Sequence, residues 1–127
     1  MDEKQLTTLF LAQKIEPSEF RHMDHLRVAY EMLHANDFID AIAQYAKGIR
    51  SMASRAGAPA KFNVTITIAF MSLVAERIHI APQKCFSEFI SENGDLLQKD
   101  VLDQWYGQDR LQSDVARQIF LLPNVDG

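Results

Sequence analysis

One cysteine, five glycines and four prolines in 127 residues leave little to staple or punctuate this chain. A single thiol, Cys85, closes no internal disulfide and excludes a four-cysteine zinc site. No apolar run reaches the roughly 18 residues that a membrane span requires, so no spanning helix is expected. The opening stretch MDEKQLTTLFLAQK holds two early acids and lacks the basic segment and small-residue cleavage site of a signal peptide. The expectation is therefore a cytoplasmic protein with no membrane partner. Disorder is excluded too, because hydrophobic residues make up 47% of the chain and charged ones only 24%. A chain of this length forms one domain, residues 1–127, with enough material for a real core.

Positive charge is also in deficit. A net charge of −4 argues against a nucleic-acid binder, whose affinity rests on phosphate contacts. The deficit is uneven along the chain. Residues 1–40 carry four basic and eight acidic side chains, and residues 76–127 carry five and nine. Between them, residues 41–75 hold Lys47, Arg50, Arg55 and Lys61 with no carboxylate at all. Such an island is either a solvated basic face or a patch that meets an anion, and asymmetry alone does not choose between them.

What is present is helical spacing. A short first helix is expected over EKQLTTLFLAQK, broken by IEPSEF, with Pro17 suited to the start of the next element. The second helix spans about 20–35. It places His22, His25, Leu26, Ala29, Met32 and Leu33 on one face, and Arg21, Asp24, Arg27, Glu31 and His34 on the other. Asn36 or Asp37 can cap a third helix over 37–56, whose stripe includes Ala41, Tyr45, Ile49 and Met52 and which stops at Gly57. A fourth, over 61–80, is apolar around most of its circumference. Its β-branched run Val64–Ile68 would also suit a strand, but no partner strand exists elsewhere, so helix is expected. Further helices are expected from Pro82 through Ile90, over DLLQKDVLDQWYG and over SDVARQIF, followed by an irregular tail. Cys85 is expected to pack in the interior, and Trp105 and Tyr106 to hold the C-terminal helices on the bundle. The fold class is all-α, a bundle of about five to seven helices around an antiparallel core of helices 2, 3 and 4.

That topology gathers chemistry at one end. Helices 2 and 4 run parallel, so His22 and His25 lie at the same end as Asn63, Thr65 and Thr67, and the C-terminal part of helix 3 brings Arg50 and Arg55 there. Two histidines three residues apart can share a metal ion, but a protein site wants a third or fourth ligand. Glu76 lies about 13 residues beyond Asn63, or roughly 20 Å along a helix, too far to serve. Glu16, Glu19 and His79 could contribute only through tertiary proximity. The same histidines could equally be structural groups bonded at a helix start, or contacts for an organic or anionic ligand. The Asn/Thr patch could contact that ligand or simply cap and back-bond its own helix. GAPAK lacks the glycine spacing of a phosphate loop.

Three segments, FRHMDHLRVAYEML, GIRSMASRAGAPAKFNVTITIAFMSLV and WYGQDRLQSDVARQIFLLP, resemble in order the motifs of a family of small uncharacterised all-helical bacterial proteins. Those motifs read Phe-x-His-x-x-His-Leu/Val-x-x-Ala, Gly-x-x-x-x-Tyr-His-x-Thr-x-Thr-x-x-Phe/Trp and Leu-x-Ser-x-x-Ala-Arg. The resemblance implies that His22, His25, Thr65, Thr67, Ser113 and Arg117 stand at motif positions. It departs at Asn63, where the family carries histidine. A third imidazole there would complete a credible metal set, whereas asparagine is a poor zinc or iron ligand and a good hydrogen-bonding group.

Two expectations follow. In the first, the end of the bundle holds a small-molecule site: His22 and His25 are candidate catalytic or metal-binding residues, Asn63, Thr65 and Thr67 orient the ligand, and Arg50 or Arg55 neutralises an anion. In the second, the protein is an interaction or regulatory module, a homodimer with structural histidines, docking through IFLLP.

Overall fold

The computed structural model describes residues 3–80 and 85–124, and among these it contains seven α-helices and no strand. Helix α1 (Glu3–Leu11) leads through a 3-10 turn at Pro17–Glu19 into α2 (His22–Ala35). Asp24 at the third position of α2 accepts the Arg21 N–H at 3.0 Å, closing the helix start and placing an acid where the dipole favours one. Asp37 caps α3 (Phe38–Arg55) by accepting the Asp40 N–H at 2.8 Å. That helix ends at Gly57, whose φ of +73° is the left-handed stop that glycine adopts without strain. A second 3-10 turn, Pro59–Lys61, precedes α4 (Val64–Ile80), so Lys61 and Asn63 stand before this helix and not within it.

Helices α2, α3 and α4 pack on one another, and α4 buries Thr65, Thr67, Phe70, Met71, Leu73 and Val74. Leu26, Val28, Ala29 and Met32 of α2 meet them in one continuous core. Helix α1 closes the side through Phe10, whose ring stacks on Phe20 and Tyr45 with centroids 5.4 and 5.9 Å apart. Gly48 makes this possible: a β-carbon there would collide with the Phe10 ring.

The C-terminal third departs from the spacing-based expectation. Helix α5 (Phe86–Glu92) starts after an extended Cys85, which is exposed and not interior; Pro82 lies outside the described residues. DLLQKDVLDQWYG is not a helix but two 3-10 turns, Gly94–Leu97 and Val101–Gln104, separated by Gln98, Lys99 and Asp100. Two short helices follow, α6 (Gln108–Leu111) and α7 (Asp114–Gln118), the latter capped by Ser113, which accepts the Ala116 N–H at 3.1 Å. Tyr106 is buried as expected, while Trp105 keeps 38% of its surface exposed. The tail from Ile119 is extended and stitched down. Thr65 Oγ1 donates to the Ile119 carbonyl and accepts the Leu121 N–H, and Tyr106 and Arg110 donate to the carbonyls of Leu121 and Leu122.

Candidate functional site

Because α2 and α4 start at the same end, their first turns face each other. Between them lies a cleft of about 260 Å³ lined by His22, His25, Tyr45, Asn63 and Thr67 among others. Ile49, Phe62, Ile66, Phe70, Val101 and Leu102 supply its apolar wall, and Gln98, Lys61 and Lys99 complete the lining.

Both histidines are partly exposed, and each has a defined partner. His22 donates from Nε2 to the Leu96 carbonyl at 3.0 Å, which leaves Nδ1 as the ring nitrogen not engaged by that bond. Leu96 sits in the turn that Arg77 holds through a two-pronged pairing with Asp95 at 2.7 and 2.8 Å. This pairing lifts the Arg77 pKa and lowers that of Asp95. His25 Nδ1 lies 3.2 Å from the Tyr45 hydroxyl. The bond runs from the hydroxyl whenever the ring carries its proton on Nε2. The His25 ring also packs on Phe20, 4.4 Å between centroids, and lies 6.3 Å from the His22 ring. Burial, reinforced by repulsion from His22 and opposed by attraction to Asp24, lowers the His25 pKa from 6.5 to about 4. Burial pushes the Tyr45 phenol the other way, above its ordinary value. At neutral pH this pair is therefore an uncharged imidazole beside an intact hydroxyl, suited to hydrogen bonding and not to supplying charge.

The polar patch on α4 divides in two. Asn63 is buried with both ends of its amide engaged: Oδ1 accepts the Ile66 N–H at 2.9 Å, and Nδ2 donates to the Leu111 carbonyl at 2.7 Å. Thr67 donates back to the Asn63 carbonyl at 2.7 Å, which leaves its oxygen lone pairs toward further partners. Thr65 does not line the cleft; its hydroxyl is occupied by the tail.

Arg50 and Arg55 are not brought to the cleft. Tyr45 and Ile49 face it from α3, so Arg50 points about 100° away and is exposed. Arg55 donates from Nη1 to the Ile15 carbonyl at 3.0 Å. Lys61 and Lys99 take their place, delivered by turns whose direction helical spacing does not reveal. Tyr45 was legible only as one more member of the core stripe, although a buried tyrosine usually signals a polar partner nearby. Ser113 and Arg117 serve α7, where Arg117 pairs with Asp114 at 2.9 Å.

As a donor set, the cleft offers two imidazoles, one bonded to a carbonyl and one to a hydroxyl, beside an asparagine whose amide is bonded at both ends. Among the described residues, no cluster of three or more His, Cys, Asp or Glu side chains could hold a metal ion. Compared with protein-family models, curated proteins and solved structures, the chain finds no match.

Proposed function

We propose that this protein binds a small molecule in the cleft between the first turns of α2 and α4. His22, His25 and Thr67 are its hydrogen-bonding contacts, and the imidazoles are the groups available for proton transfer if the bound molecule is also converted. One observation carries the reading: two histidines from adjacent turns share one cleft, partly open to solvent, yet each ring is oriented by a specific bond. Fully buried structural histidines would leave no such cleft. The resemblance at His22, His25 and Thr67 supports the same residues, and the single cysteine suits a reducing, cytoplasmic setting.

The test is a fragment screen by ligand-observed NMR on the wild-type chain and on a His22→Gln/His25→Gln variant. Fragments that bind the wild type are expected to lose binding in the variant. A variant that retains every fragment at unchanged stability removes the histidines from any ligand site.

A second reading has its own observation. Val115, Ile119 and Leu122 are 53%, 54% and 70% exposed within eight residues of chain. Such a run suits a surface that meets a second copy, and sedimentation over a range of concentrations would reveal a mass that rises with concentration.

A further inference from the structure

The lining of the His22/His25 cleft has a charge pattern unlike its surroundings. None of the residues that line it carries a carboxylate, although the chain is acidic overall. Four other depressions on the surface each include at least one acid: Asp109, Glu76, Asp114, and the group Asp95, Asp100 and Asp103. Among the described residues, the fixed charges on the cleft are cationic and come from separate elements, Lys61 from the turn before α4 and Lys99 from the link between two 3-10 turns. Both ammonium groups are exposed, which puts them at the mouth and leaves an interior of mostly apolar wall.

Resting on the ligand reading above, we infer that the molecule this cleft takes is a small amphipathic monocarboxylate. Its acid group sits between Lys61 and Lys99, and its apolar body lies against Ile66 and Phe70. Size sets one limit. A cleft of about 260 Å³ lies just below the usual range of small-molecule pockets, which favours a small ligand. Desolvation sets another. A compact dianion such as inorganic phosphate would have to give up its water against an apolar wall, with no buried cation to replace it. His25 does not supply that cation, since burial keeps its ring uncharged at neutral pH.

The experiment titrates hexanoate and benzoate, their neutral amides, and inorganic phosphate into the full chain at pH 7, read by backbone amide shifts. Carboxylates are expected to shift amides around residues 61–67 and 98–102 and to bind about tenfold more tightly than the matching amides, the scale expected of two exposed cations. In Lys61→Gln/Lys99→Gln, whose exposed positions spare the core, carboxylates and amides are expected to bind alike. Equal affinity for the two classes in the wild type overturns the inference and leaves the small-molecule reading standing. So does a carboxylate preference that survives the double substitution, or phosphate binding more tightly than either acid. Should none of the probes shift the cleft, while the fragment screen also finds nothing lost on His22→Gln/His25→Gln, both readings fail together.

Discussion

The three-helix core and the C-terminal third of this molecule share one apolar interior, but the second relies in addition on long-range polar clamps. Between His22 and Ile80, three helices bury apolar stripes on one another, and their ends are set by local caps such as Asp37 and Gly57. Beyond Cys85 the longest helix has seven residues, and the chain is tied down by side chains that grip distant main-chain groups. Asn63 holds Leu111, Thr65 holds Ile119 and Leu121, and Arg77 holds the turn at Asp95. Burial is non-directional and adds with area, whereas each of these clamps is one or two bonds that a single substitution removes. Loss of a core side chain should therefore weaken the whole molecule, whereas loss of one clamp should release one C-terminal segment.

The largest expected effect tests the cooperative side of this contrast. Leu26 is wholly buried among α2, α3 and α4, and Leu26→Ala should cost about 3 kcal/mol in chemical denaturation. Fluorescence of Trp105, in the C-terminal third, should change at the same denaturant midpoint as helical circular dichroism. Separate midpoints would show that the two regions unfold independently.

Next comes the pH dependence that His25 imposes on the core. Below pH 6.5 the unfolded chain takes up a proton that the folded ring declines until about pH 4. Stability is thus retained above 6.5, falls with pH across that window, and levels off below it. The loss approaches roughly 3 kcal/mol at most. His25→Gln should flatten this part of the stability profile, and an unaltered profile would place the titration elsewhere.

The smallest effect is the most local. Thr65→Val keeps the shape of the side chain but strips the tail of two bonds, at a cost of about 1–2 kcal/mol. Hydrogen exchange at the Leu121 amide should accelerate while amides in α2 and α3 keep their protection. Uniform acceleration throughout the molecule would erase the distinction between the regions.

This same contrast decides what could be read from the residues alone. The all-α class, the ends of α2 and α3, and the inward face carrying His22 and His25 follow from periodicity and caps, which are local properties. So does the meeting of those histidines with Asn63 and Thr67, because short connections force antiparallel neighbours. The segment from Gly94 to Gln104 was opaque: Leu96, Leu97, Val101 and Leu102 look like a helix stripe, yet all four are drawn inward by turns. The cations of the cleft were hidden for a related reason. Charge along a chain says nothing about direction, so Arg50, one residue from the cleft-lining Ile49, faces away, while Lys99, inside a misread segment, faces in. Long-range clamps such as Asn63 to Leu111 leave no periodic trace at all.

The hydrogen bond from His22 to Leu96 carries a last consequence. Its acceptor is a main-chain oxygen, so the bond does not depend on which side chain stands at position 96. Leu96 is wholly buried, so an apolar replacement of similar volume keeps both the path of the turn and the acceptor. The bearing of the imidazole is therefore inherited from whatever shapes that turn, and the Arg77–Asp95 clasp is the part of it written in side chains. The ring's aim should therefore outlast an apolar exchange of similar volume at position 96, and be disturbed by opening a pair that never touches it.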